Sequence, residues 1–189
     1  MSWNDGEYYD ASFGINKCRR YHALLRDFYQ SLHNWSAGIS AFAGSSAFIA
    51  FLAGSPEITG WLSAVFGLVS TFELIFRYEE RVRYHNDLCV RFTNLAAKLE
   101  ITPETLEELG RIRAKRITIE ADENEVKRLV EIRASVEEAR SRGIPEAKLI
   151  KLSRPQRVLG YLFTFGLSRL EKQKALMETE EHRQAGGAM

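Results

Sequence analysis

Residues 35–54, WSAGISAFAGSSAFIAFLAG, are uncharged throughout. Twenty helical residues rising 1.5 Å each reach about 30 Å, the thickness of a bilayer's hydrocarbon core. Ser55, Pro56 and Glu57 supply a turn, and residues 58–76, ITGWLSAVFGLVSTFELIF, follow with Glu73 as their one charge. Both runs have a hydropathy near the threshold for a spanning helix. The pattern predicts an all-α membrane protein built on a two-transmembrane helical hairpin, residues 35–76, whose helices extend into a cytoplasmic bundle. The competing reading is a buried αα-hairpin in a soluble bundle. That reading needs covering helices, and a chain of 189 residues with polar flanks supplies few of them. More than thirty residues, many of them polar, precede the first run, which disfavours a secretory signal.

Outside this block the charges are dense but balanced: 26 Lys and Arg against 25 Asp and Glu, a net charge of +1. Such a balance excludes a nucleic-acid binder driven by bulk charge. Two cysteines, Cys18 and Cys89, are too few for a disulfide scaffold.

The distribution of basic residues orients the hairpin. Lys17, Arg19, Arg20 and Arg26 precede the first run, Arg77, Arg81, Arg83 and Arg91 follow the second, and the turn has none. Retention of basic residues on the inner side places both termini in the cytoplasm of an inner-membrane, multi-pass protein. Trp35, Trp61 and Tyr78 fall near the expected interfaces.

Small residues recur at helical spacing inside both runs: Ala43, Ala47, Ala50 and Gly54 in the first, Gly60, Ala64 (or Ser63), Gly67 and Thr71 in the second. Small faces let helices approach closely in lipid. Packing within the hairpin is one use. A second face through Ser40, Gly44 and Ser45 offers another, homo-oligomerisation or the lining of a polar path. Glu73, an ionisable residue inside a span, has two readings: an interfacial ion pair with Arg77 one turn on, or a carboxylate at a pore mouth.

Working outward, Cys18, Tyr21, Leu25, Phe28, Leu32 and Trp35 before the hairpin, and Tyr78, Val82, His85, Phe92, Leu95 and Leu99 after it, repeat at spacings of mostly three and four. Each span is therefore expected to be the end of a longer helix, the cytoplasmic parts being residues 1–34 and 77–152. Thr102, Pro103 and Glu104 predict the start of a third helix running to Glu120 with Leu106, Leu109, Ile112, Arg116 and Ile119 in phase. A fourth series, Val126, Leu129, Val130, Val136 and Ala139, runs to about Arg142, where Gly143 and Pro145 end it. Lys148 to Leu152 is a candidate extended piece. Residues 153–189 hold a short apolar stretch, Val158 to Ser168, with basic flanks, and then a polar tail. The stretch suits a helix lying on a membrane surface or one docked on the bundle.

No phosphate-binding glycine loop, nucleophile elbow or zinc-binding helix motif occurs. His22, His33, His85 and His182 are scattered without metal-ligand spacing. Glu120, Asp122, Glu123 and Glu125 read as a solvated acidic face. The expectation is a non-enzyme with no cofactor and no metal.

The helix NKCRRYHALLRDFYQSL, the tight hairpin with its SPE turn, the following RYEERVRYHNDLCVRFTNLAAKLE, and the segment RAKRITIEADENEVKRLVEIRASVEEARSRG together resemble the SLATT family, two-transmembrane effectors associated with nucleotide-signalling conflict systems in bacteria. The likeness is one of architecture over roughly residues 16–152, and it carries over no functional residue. It implies an antiviral defence effector that forms a pore or disrupts the inner membrane and arrests or kills the infected cell. It also implies a trigger from a separate sensor or nucleotide second-messenger system, or directly from a ligand. The alternative is a non-conducting, membrane-anchored helical scaffold.

Overall fold

The computed structural model describes residues 5–124, 126–163, 166–168, 170 and 173. Among them every regular element is helical: α1 (Asp5–Leu52), α2 (Pro56–Phe76), α3 (Tyr78–Glu100), α4 (Leu106–Glu120), α5 (Arg128–Ser141), a 3₁₀ turn (Glu146–Lys148) and α6 (Arg154–Leu159). The piece after Lys148 is extended at Leu149 but pairs with no strand. The chain divides into two compact units, one of residues 25–86 and one of residues 1–24 with 87–189, and both divisions fall within helices, α1 and α3.

In the unit of residues 25–86, α1 and α2 join through Ala53, Gly54 and Ser55 and lie antiparallel. Gly54 turns the chain with φ +72, a left-handed conformation that glycine adopts without steric cost. Pro56 sits in the first turn of α2, where no intrahelical N–H is needed. No residue of α2 is buried, and the stretch beginning at Pro56 is long and apolar enough to cross a membrane by length and composition. Trp61, Leu68, Leu74 and Ile75 all stand exposed.

One expectation for the second arm fails. The helix does not run unbroken from the apolar run to Ile101; it is interrupted at Arg77, whose φ of 48 and ψ of 52 are left-handed. The Arg77 N–H donates to the Glu73 carbonyl at 2.9 Å, and the Arg81 guanidinium donates to the Phe76 carbonyl at 3.1 Å. Both bonds satisfy carbonyls that the end of α2 leaves without helical donors.

The other unit has its own core. Ile15, Cys18, Tyr21 and His22 of α1 are buried with Leu88, Phe92, Leu95 and Leu99 of α3, Leu109, Ile112 and Ile119 of α4, and Leu129, Val130 and Ala134 of α5. The start of α4 is displaced from the expected site: Thr105, not Thr102, is the cap, its hydroxyl accepting from the Glu108 N–H. Thr105 has Glu107 and Glu108 in the first turn after it, which suits the positive end of the helix dipole. Thr102 instead donates to the Lys98 carbonyl at 2.6 Å, finishing α3. α5 begins at Arg128 and leaves Val126 exposed. Arg133, which interrupts the apolar stripe of α5, is accommodated by Glu137 at 2.8 Å and the Tyr161 hydroxyl at 2.9 Å.

The expected helix over residues 158–168 is not formed as one piece. α6 starts with a reciprocal capping box between Ser153 and Gln156 and stops at Leu159. A side chain at Gly160 would meet the Gln156 carbonyl at 2.3 Å and Leu129 Cβ at 2.9 Å, and Gly166 has φ +68. The segment is docked on its own unit: Leu152 and Leu170 pack with Leu129, and Tyr161 is buried.

Candidate functional site

Glu73 lies in the last turn of α2, and its carboxylate meets α1. The Ser36 hydroxyl donates to Glu73 Oε2 at 2.7 Å, and His33 Nδ1 is 3.2 Å from Oε1. His33 and Ser36 are three residues apart on one helix, so both side chains reach the same carboxylate. Ser36 is buried, whereas His33 and Glu73 are each about one-third exposed. Both oxygens of Glu73 thus have partners, which offsets the cost of holding a charge among apolar helices. A recess of about 440 Å³ opens beside the carboxylate, with Ser70, Leu74, Arg77 and Tyr78 among its lining residues.

This geometry overturns the expected ion pair between Glu73 and Arg77. The left-handed backbone at Arg77 takes it out of the helical register in which residues four apart meet, and its guanidinium pairs with Glu80 at 2.7 Å. Arg26, Arg81 and Arg83, also used for orientation, have partners as well. Arg26 bonds Asp27 at 2.8 Å and Arg83 bonds Glu79 at 2.5 Å. Arg81 donates to the Tyr29 hydroxyl at 3.1 Å and lies 5.3 Å from the centroid of the same ring. Tyr29 in turn stacks on buried His85, centroids 5.6 Å apart.

Ser36 does not stand where His33 could activate it, because its proton goes to the carboxylate rather than to the imidazole. The trio is therefore built as a polar clasp between helices and not as a nucleophile with its base. Among the described residues no group of three or more His, Cys, Asp or Glu is placed to hold a metal ion.

The small-residue faces fall differently from the packing expected within the hairpin. Along α2 the partly covered positions are Thr59, Leu62, Phe66, Val69 and Glu73, one stripe at spacings of three and four. Gly60, Ala64, Gly67 and Thr71 lie off that stripe and are exposed, and a Cβ added at Gly60 or Gly67 would meet nothing within 4 Å. The helix pair closes with its bulkier face, and the small face of α2 is left open. On α1, Ser40 is partly covered, while Ser45 is exposed and donates to its own helix at the Phe42 carbonyl, 2.8 Å. The surroundings of Ala43, Gly44, Ala47 and Ala50 lie outside the described residues, as do Glu125, His182 and the residues from 174 onward.

The acidic stretch is a solvated face only in part: Asp122 is exposed, Glu120 and Glu123 are partly covered, and each has a partner. Glu120 accepts from Arg116 at 2.9 Å, Asp122 from Arg91 at 2.6 Å, and Glu123 lies 3.1 Å from His22 Nε2. His22 is buried and stacks on Phe92 with centroids 5.6 Å apart. Cys18 and Cys89 are free, buried thiols. Burial, followed by the nearby Glu120 charge, pushes the Cys18 thiol up to about 12.

Reading the sequence alone missed His33 and Ser36 as partners of Glu73. The available signal was their spacing of three at the mouth of the apolar run and their nearly equal distance from the turn to that of Glu73. No protein-family model, curated protein or solved structure matches this chain.

Proposed function

We propose that the chain is a two-span membrane effector of a bacterial conflict system, which oligomerises through the open face of α2 and permeabilises the inner membrane. The observation that carries this reading is the exposure of an apolar helix with no buried residue, whose small-residue stripe, Gly60, Ala64, Gly67 and Thr71, stands exposed among the described residues. In lipid such a stripe lets a second helix approach closely, where dispersion and weak polar contacts drive association. The run from Trp35 to Leu52 in α1 forms the second span, with the Ala53–Ser55 turn outside. Arg26, Arg77, Arg81 and Arg83 stand at the end of the helix pair remote from that turn, which supports both termini inside. The architectural resemblance to SLATT effectors supports the toxic outcome and a trigger supplied by a separate sensor, a nucleotide messenger or another ligand.

Inducing the protein in bacterial cells while following membrane potential tests this function. Collapse of the potential with arrest of growth is expected. An intact potential with the protein resistant to alkaline carbonate extraction overturns the pore and leaves the second reading, a non-conducting membrane scaffold. One observation favours that second reading: both oxygens of Glu73 are engaged by His33 and Ser36, so this carboxylate is not free to line a path.

A further inference from the structure

Residues 147–170 contain Lys148, Lys151, Arg154, Arg157 and Arg169 and no Asp or Glu, in a chain whose charges elsewhere are mixed. The contrast continues in three dimensions. Arg20, Arg91, Arg116, Arg128, Arg133, Arg140 and Arg142 of the same unit are each in an ion pair. Lys151, Arg154 and Arg157 are exposed and form none among the described residues; the carboxylate near Lys151 and Arg157, Glu146, is held by Arg140.

Beside these cations stand four bare apolar side chains. Val158 is 67% exposed, Leu159 43%, Leu162 52% and Phe163 64%. They are held there by structure. Gln156 and Tyr161, interleaved with them in sequence, are buried, and the Tyr161 hydroxyl accepts from Arg133 at 2.9 Å. The Leu162 and Phe163 N–H groups both donate to the Leu159 carbonyl, at 3.0 and 2.9 Å. The docked residues fix the segment, and the exposed ones are presented outward at a steady cost in water.

We infer that Val158, Leu159, Leu162 and Phe163, with Lys151, Arg154 and Arg157, form a docking surface for an anionic lipid bilayer. Apolar side chains enter the boundary between headgroups and acyl chains while unpaired cations meet lipid phosphates, and each basic residue near such a surface strengthens binding about fivefold. Exposed cations of one sign set beside bare apolar side chains are the complement of a negatively charged membrane.

The test uses the full chain carrying Phe163→Cys labelled with a polarity-sensitive fluorophore. Cys18 and Cys89 are buried and do not compete for the reagent. The label is read in the presence of vesicles of phosphatidylethanolamine with phosphatidylglycerol, and of phosphatidylcholine alone. Ile117→Cys, on the exposed face of α4, is the control. In anionic vesicles the residue-163 label shifts to the blue, is quenched by nitroxide-bearing lipid and is shielded from aqueous iodide, whereas the control label stays in water. Arg154→Glu with Arg157→Glu lowers lipid quenching at least tenfold while circular dichroism is unchanged. A label quenched equally in neutral and anionic vesicles, or open to iodide in both, overturns the inference. Shielding from iodide without lipid quenching also overturns it, because a protein surface or a second copy then covers the patch. Since the signal arises at residue 163, it does not depend on whether the hairpin spans the bilayer.

Discussion

Ser36 and Glu73 clasp the two helices at the end of the pair remote from the Ala53–Ser55 turn, the Ser36 hydroxyl donating to Glu73 Oε2 at 2.7 Å. A hydrogen bond to a charged group contributes about 1.5–3 kcal/mol when fully desolvated. Glu73 is about one-third exposed, so Ser36→Ala is expected to destabilise the helix pair by about 1 kcal/mol. Denaturant unfolding in detergent micelles measures it, and an unchanged midpoint contradicts a structural role for the clasp. Glu73→Gln retains an acceptor for Ser36 and is expected to cost less than Glu73→Ala.

Glu138 supplies the pH dependence. Burial alone would raise its pKa, but hydrogen bonds from Arg20 at 2.6 Å and Arg142 at 2.7 Å outweigh that and hold the carboxyl below its ordinary range. Glu131 is likewise lowered, against burial, by Lys17 and Arg128. At both carboxyls the native state binds fewer protons than the unfolded chain in the acid range. Their stabilisation is complete above the ordinary carboxyl pKa and is lost as pH falls through the lower native values. Unfolding free energy followed from about pH 7 to about pH 3 should fall, and Glu138→Gln should flatten the slope while costing about 2 kcal/mol at neutral pH. A slope unaltered by Glu138→Gln would assign the acid sensitivity to other groups.

Cys18 gives a chemical readout of opening. Its thiol donates to Glu120 at 3.4 Å and is held as the protonated, unreactive form. Maleimide at about pH 7.5 is expected to leave both cysteines unmodified in the folded protein and to label them only after denaturation. Rapid labelling of Cys18 under native conditions would contradict the packing of α1 on α4.

Gly67 separates folding from assembly. With nothing within 4 Å of an added Cβ, Gly67→Leu should leave the folding of a single chain intact or improve it by about 1 kcal/mol through helix propensity. The same substitution should abolish crosslinked oligomers and toxicity if the open face of α2 is the contact. Oligomers that persist in Gly67→Leu exclude that face.

Gly160 is the opposite case, hemmed in by Gln156 and Leu129. Gly160→Ala should lower stability by about 1–3 kcal/mol, measured by thermal unfolding, because the backbone carbonyl it meets cannot move aside cheaply.

Helix phase was legible where burial is one-sided. Leu109, Ile112 and Ile119 fall on one face in the sequence and are buried together in α4; His85, Phe92, Leu95 and Leu99 do the same in α3. Periodicity could not decide which face of α2 meets α1, because every face of that helix is apolar or small, and bulk rather than polarity separates them. The break at Arg77 was not legible either. Arginine carries no sequence signal for a left-handed backbone, and no Gly, Pro, Asn or Asp stands beside it to mark a break. The interruption after Leu159 was signalled by Gly160 and Gly166 but was outweighed in the reading by the apolar run around them. Of the clasp, Glu73 stood out as a charge in a span, whereas His33 and Ser36 lay at the mouth, where polar residues attract no notice.

Arg77 has a mechanical consequence. A helix passes torque along its axis because each residue is locked to those four away, and a left-handed residue breaks that lock. Between α3 and α2 the helical hydrogen-bond ladder is interrupted at Arg77, where the chain is held by the bonds from Arg77 to Glu73 and from Arg81 to Phe76. α1 has no such joint between Leu25 and Leu52. The two arms of the pair are thus mechanically unlike, one continuous and one jointed, and the carboxylate of Glu73, four residues before the joint, is tied to the continuous one.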